Sequence, residues 1–479
     1  MDDSTKPSFN FINLKHPDDL KDEEMQLRIR RLAMTEVGKA RRRPKTKRER
    51  TEFILEFHEP EEKRVAIERF GSTRFDPFGH YPIELDDSAR ALLTHIFSPD
   101  TNHPSQLRGS WYPVSLSSPA AFHNVLANSQ NYLFQKMNGY FPSQDDHLAL
   151  AHRHKALIHA NEMMKDTLKH TSDEMIGTVA SFLCHLALLG SFGNGDWAKH
   201  RNALVRIIGL RGGYDTIDKE SLRCTITWVD LIGCFAQDLP PVVPMPHPWL
   251  QNSSSRPFSP RPSIPIALLW KQQLPSRLDW ITVFDDIVQL ISQDRAFNLE
   301  QLVLAITSGS WIEPTIYRLL TIRPLHLGHD REHVMEEVCR LGTLLFLAPF
   351  WRLLGHSPIW TAAISRNLLH VLMSNMVEWN ELKPLLIWVL YFASVETNDL
   401  AERSQFLFML AVLMASMQLR EWEGLMDVVK SVLWVEKVFA GTEELIKEEV
   451  VQIVGHGGMG TPLVEARLAF LEQYGGNVE

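Results

Sequence analysis

His152, His154 and His159 form the densest set of metal-capable side chains in the sequence. A zinc ion held on one helix takes histidines at i and i+4, usually with a carboxylate close by. His152 and His159 share a helical face, but the His-Glu-x-x-His arrangement is lacking, so a wet or partly buried helix face is expected there and no metal. A second candidate is Gly455-His456-Gly457-Gly458-Met459-Gly460, which follows an apolar run and matches Gly-x-Gly-x-x-Gly. A dinucleotide site also needs a helix, a second strand and an acidic residue about 20 positions on. With the sequence running to Glu479, the expected reading is a flexible turn between two helices. The four cysteines, Cys184, Cys224, Cys234 and Cys339, are scattered through apolar patterns. They read as buried thiols of a reducing compartment, not as disulfides or a metal cluster. Nucleophile elbow, phosphate loop and Cys-x-x-Cys are all missing. The residues therefore point to no catalytic, cofactor-binding or metal-binding role, and the chain is not expected to be an enzyme.

Charge carries a different message. The 479 residues sum to −9, so the bulk of the chain has no electrostatic attraction to nucleic acid. Against that balance stands a dense basic run, Arg41, Arg42, Arg43, Lys45, Lys47, Arg48 and Arg50. Such clusters are read by nuclear import receptors, hold phosphate backbones, or are simply solvated tails. Import is the reading taken here.

The elements that must carry these residues are helical throughout. Hydrophobic residues make up 44% of the chain, enough for a sizeable core. Residues 1–50 form an N-terminal unit, with a helix opening at His16-Pro17-Asp18-Asp19 and ending before Pro44, and residues 51–84 a linker. Helices are expected near 85–97, after Ser118-Pro119, over 147–170, and in three patterns from Met175 to Pro241. In the second of these, Asp196 is placed as the cap, with Trp197, Ala203, Leu204, Ile207, Ile208 and Leu210 facing inward. Lys199, Arg201 and Arg206 face mostly outward, and Gly212-Gly213 ends the helix. Pro240-Pro241 stops the third. Residues 240–265 are a Pro/Ser-rich loop in which Ser259-Pro260 could accept a phosphate. Further helices are expected at 280–291, 333–354, 359–377, 382–395, 401–419 and 422–435, with Trp379, Trp388, Trp422 and Trp434 supplying buried surface. The expected fold class is all-α: one large domain of antiparallel helix pairs over 85–479, behind a basic, partly helical N-terminal segment. No signal peptide and no membrane span is expected.

One set of residues has more than local meaning. Trp197 and His200 form Trp-x-x-His, and Arg211-Gly212-Gly213 follows. Trp228-Val229-Asp230 forms Trp-x-Asp, and Asp238-Leu239-Pro240-Pro241 forms Asp-x-Pro-Pro. In this order they resemble the fungal-specific transcription factor domain, the helical region found behind the zinc cluster of many fungal regulators. Leu385-Leu386-Ile387-Trp388, Glu421-Trp422 and Leu433-Trp434 are similar to its closing part. Phe11-Ile12-Asn13, Pro17-Asp18-Asp19-Leu20-Lys21-Asp22 and Ile29-Arg30-Arg31 resemble a subgroup in which the domain occurs without a zinc cluster. Packing and capping are the expected roles of the motif residues themselves.

The resemblance implies a regulatory role in transcription, in a fungal nucleus, through protein partners or a small effector. Transcriptional regulators and an import receptor are the implied partners, and homodimerisation is a further possibility. Four dispersed cysteines cannot build a six-cysteine cluster, which leaves direct sequence-specific DNA binding doubtful. The alternative is a helical interaction scaffold with no transcriptional role, residing in the cytoplasm.

Overall fold

A computed structural model describes residues 81–97, 111–246, 312–353, 358–375 and 377–456. All of them belong to one compact unit, Ile67–Glu479. The basic run at 41–50, the helix expected at 280–291, Ser259-Pro260 and Gly457-Gly458-Met459-Gly460 lie outside the described residues.

The described residues are helical, as the hydrophobic period requires, and none of them is in a strand. The first group comprises α1 (Asp87–Ile96), the single turn α2 (Tyr112–Ser115), α3 (Pro119–Asn138), α4 (His147–Lys165), α5 (Asp173–Leu188), α6 (Asp196–Arg211) and α7 (Glu220–Gln237). The second comprises α8 (Ile312–Thr321), α9 (Arg331–Leu353), α10 (Ala362–Ser374), α11 (Lys383–Glu396), α12 (Leu400–Ser416), α13 (Trp422–Val432), α14 (Glu436–Phe439) and α15 (Glu444–His456).

Local chemistry sets several starts. The Asp86 carboxylate accepts the Ala89 N–H at 2.7 Å to open α1, and Asp146 accepts the N–H groups of Leu148 and Ala149 at 3.0 and 2.8 Å to open α4. Ser118 caps α3, with Pro119 as its first residue. Each satisfies donors that the first turn leaves orphaned, and a proline there loses nothing.

Consecutive helices pack as pairs, α3 on α4, α5 on α6, α9 on α10 and α11 on α12. Short connections force this arrangement. Helix α7 lies between the groups, touching α5 on one side and α8 and α10 on the other. One continuous apolar core results, with Trp197, Trp351, Trp388, Phe122 and Phe235 among its largest fully buried side chains.

Several local expectations are corrected. Gly195, not Asp196, is the cap residue of α6, at φ 74° and with no capping side chain; Asp196 is the first helical residue and pairs with Lys199 at 2.9 Å. Leu210 is 70% exposed rather than inward, and Arg201 turns inward rather than out. The α4 helix ends at Lys165, where the chain turns through Asp166, short of the expected 170. Trp379, Trp388 and Trp422 are buried, while Trp434 is half-buried. Among the described residues no helix is long and apolar enough to cross a membrane.

Candidate functional site

The motif residues gather around α6, α7 and the chain that leaves α7. Trp197 is fully buried and lies flat on Gly233 of α7, where an added Cβ would sit 1.9 Å from the indole Cζ2. Glycine is required there so that the two helices can approach. The Arg201 guanidinium covers the same indole at 5.4 Å, and Phe192 meets it edge-on at 5.9 Å. Next to Arg201 in the chain, His200 stacks on Phe182 of α5 at 5.5 Å, nearly parallel; burial lowers its pKa. Trp228 packs against Trp111 at 5.7 Å. These aromatic contacts join α2, α5, α6 and α7.

Arg211-Gly212-Gly213 closes α6. Gly212 and Gly213 take φ of 113° and 104°, and the Gly213 N–H returns to the Ile208 carbonyl at 2.9 Å. A side chain would be strained at both positions. Arg211 donates to the Thr171 and Thr216 carbonyls at 3.2 and 3.1 Å and pairs with Asp173, so it ties the start of α5 to the turn after α6.

Asp230 and Asp238 do the remaining work, in two linked clamps. Asp230 is 1% exposed on α7. One oxygen accepts from Arg201 Nε at 2.6 Å, and the other accepts the N–H groups of Val242 and Val243 at 2.8 and 3.0 Å. Arg201 also donates to the Pro240 carbonyl at 2.8 Å. Pro240 and Pro241 have no N–H, so the first donors of the departing chain are at 242 and 243, and both reach one carboxylate. Trp-x-Asp and Asp-x-Pro-Pro are thus two halves of one device that lays the chain back along α7.

Asp238 ends α7 at φ 51°, a left-handed value that aspartate tolerates better than most residues. Its carboxylate accepts two bonds from Arg340 of α9 at 2.8 and 3.0 Å, one from Arg323 at 2.7 Å and one from Asn367 of α10 at 2.9 Å. Arg340 is fully buried and makes two further bonds to Glu337 at 2.9 and 2.6 Å. The two carboxylates balance the two guanidinium groups, which is what makes a buried ionic cluster tenable. Burial pushes the Asp238 pKa up, but Arg340 and Arg323 outweigh it and hold the carboxyl below its ordinary 3.8. This cluster joins the end of α7 to α9 and α10, and so couples the two helix groups.

Arg201, Arg323, Glu337, Arg340 and Asn367 were not among the expected site residues. Arg340 carried a signal, because it interrupts the apolar run Val338-Cys339-Arg340-Leu341 in a helix otherwise buried along that stretch. A charge in such a place must be paired. A second polar cluster also went unread: His185 of α5, fully buried, contacts Asp145 at 2.9 Å and Asn128 at 2.7 Å.

The α4 histidines divide. His152 is buried and its Nδ1 lies 3.1 Å from Nδ1 of His123 on α3; His159 stacks on His123 at 5.7 Å; His154 faces solvent. Among the described residues no set of three or more His, Cys, Asp or Glu is arranged to hold a metal ion. The cysteines are free; Cys184, Cys234 and Cys339 are buried, and Cys224 is half-buried.

The fold and its motif cluster define an all-helical domain whose signature residues are packing, capping and ion-pairing groups. The family model of the fungal-specific transcription factor domain matches residues 85–434, and the chain belongs to that family. All of the motif residues from Trp197 to Pro241 fall within the match. No curated protein and no solved structure matches the chain.

Proposed function

We propose that this protein is a fungal transcription-factor-like regulator that acts in the nucleus through protein partners or a small effector. The observation that carries this reading is the family match over residues 85–434. Membership of a family of transcriptional regulators also speaks against an enzymatic role. Three features support the finer parts. The four cysteines sit within the core helices α5, α7 and α9, and four cannot supply the ligands of a six-cysteine zinc cluster. The net charge of −9 opposes close approach of the bulk of the chain to DNA. The basic residues Arg41, Arg42, Arg43, Lys45, Lys47, Arg48 and Arg50 suit an import receptor. Sequence is read by base contacts, and phosphate contacts alone carry no sequence information. A role at promoters then calls for a DNA-binding partner.

The test is a tethering assay in a fungal host, with the full chain fused to a heterologous DNA-binding domain whose site lies upstream of a reporter. A change in reporter output that requires the tether supports the reading. An inert fusion, combined with a cytoplasmic fluorescent fusion of the same chain, would establish the alternative, a helical scaffold without a transcriptional role.

A further inference from the structure

Helix α4 is lightly held. It buries only Ala149, His152 and Ala156, packs chiefly on α3 and touches α5 little. Carboxylates anchor its start. Gln130 of α3 donates to Asp146 at 2.6 Å, Asn131 of α3 donates to Asp145 at 3.0 Å, and His185 of α5 meets the other Asp145 oxygen at 2.9 Å. Burial pushes the Asp145 pKa up, but His185 and Asn131 outweigh it and hold the carboxyl below its ordinary 3.8, so this anchor survives at pH 5. Further along, α4 meets α3 through different chemistry. His152 Nδ1 lies 3.1 Å from His123 Nδ1, the His159 ring stacks on His123, and the Ser118 hydroxyl at the head of α3 lies 3.7 Å from the Met163 sulfur.

Two Nδ1 atoms at that distance share one proton: one ring donates its N–H and the other accepts with a lone pair. A second proton sets two N–H groups face to face, and it puts positive charge where His123 and His152 are 5% and 4% exposed. Lys155 and His159 of α4 add like charge, with Glu162 beside His159 at 3.6 Å, and Asp86 at the head of α1 opposes them. Asp86 is an exposed cap already engaged by the Ala89 N–H. On the other sides of α3, Thr178 and Ser181 of α5 bond Ser118 and Asn124, and Tyr112 of α2 lies on Phe122. We propose that the His123–His152 pair is an acid-operated latch: its protonation releases α4 from α3 about the anchored first turn, while the rest of the core stays folded. In the closed form burial first, then His152, Lys155 and His159, hold His123 down to about 4, and release returns it to 6.5. The open form therefore binds the proton more readily, so closure is fully present above pH 6.5 and is lost as pH falls toward 4. From His123 alone, the open fraction grows about fourfold from pH 7.5 to 6.0 and about thirtyfold from pH 7.5 to 5.0. His152, lowered by burial and Lys155, adds to this. Release bares Ala156 and the His123 side of α3, a face covered at neutral pH. The latch does not depend on the transcriptional reading.

The experiment is thiol labelling of the full chain carrying Ala156→Cys, read peptide by peptide by mass spectrometry between pH 7.5 and 5.0. Each rate is divided by that of the same thiol in the urea-unfolded chain at the same pH, which removes the titration of the thiol itself. Native Cys339 on α9, fully buried, is the internal reference for unfolding of the core. The relative rate at Ala156→Cys should rise about thirtyfold or more, and that at Cys339 by less than about twofold. With His123→Gln and His152→Gln added, the rise at Ala156→Cys should shrink to less than about threefold. No rise at Ala156→Cys overturns the latch. An equal rise at Cys339 also overturns it, because that is general acid unfolding, and so does a rise that persists without the two histidines. The comparison of Ala156→Cys with Cys339 needs no histidine variant, so it decides the matter even where that variant does not fold.

Discussion

Asp238 is where a single substitution should cost most for its size. Replacing it by alanine removes four hydrogen bonds and leaves Arg340, fully buried, with Glu337 as its remaining charged partner. Breaking a buried ion pair from one side costs about 3–5 kcal/mol. The alanine must also keep the left-handed backbone at φ 51°, at about 1 kcal/mol more. Asparagine separates the two effects. It tolerates that backbone, fills the same space and retains one acceptor, so Asp238→Asn should cost about 2–3 kcal/mol from lost charge alone. About 400 residues unfolding together carry an entropy near 0.8 kcal/mol/K, so the thermal midpoint moves only about 1 °C per kcal/mol. The expected drops are then about 5–7 °C for alanine and about 3–4 °C for asparagine, read by circular dichroism at neutral pH. Acid provides a second reading of the same charge. The folded pKa of Asp238 is depressed, so its contribution is present above the unfolded value near 4 and is lost as pH falls through the folded value. The gap between the native protein and Asp238→Asn should narrow below pH 4. An asparagine variant that melts with the native protein at neutral pH would refute the view that the ionic cluster holds the two helix groups together.

Gly233→Ala should destabilise by about 3 kcal/mol or more through collision with Trp197, measured by urea unfolding; an unchanged midpoint would mean that α6 and α7 separate freely. His123 is pushed down from 6.5 to about 4, first by burial and then by its neighbours His152, Lys155 and His159, with Asp86 opposing. The unfolded chain binds that proton more readily, so stability should fall by up to about 3 kcal/mol between pH 6.5 and 4, and His123→Gln should flatten the profile. Replacing Arg41, Arg42, Arg43, Lys45, Lys47 and Arg48 by alanine should move a fluorescent fusion from nucleus to cytoplasm, and an unchanged nuclear signal would discard the import reading. Selection of the purified protein against random duplexes at physiological salt should enrich no motif; a reproducible motif would show that the chain reads bases itself.

Fold class could be read from the chain because helix period, capping residues and apolar content are local properties. Ser118-Pro119, Gly212-Gly213 and the apolar stretch that becomes α5 each specify their structure within a few residues. Family membership was equally legible, since Trp197, Arg211-Gly212-Gly213, Trp228, Asp230 and Asp238-Leu239-Pro240-Pro241 keep a fixed order along the chain. What those residues do was decided by tertiary structure. Asp238 meets Arg340 across 102 positions and Asn367 across 129. No periodicity within either helix announces such a partner. Arg201 shows the same limit in reverse: a helical wheel assigns it to solvent, but the Asp230 carboxylate on α7 and the Pro240 carbonyl draw it inward over Trp197.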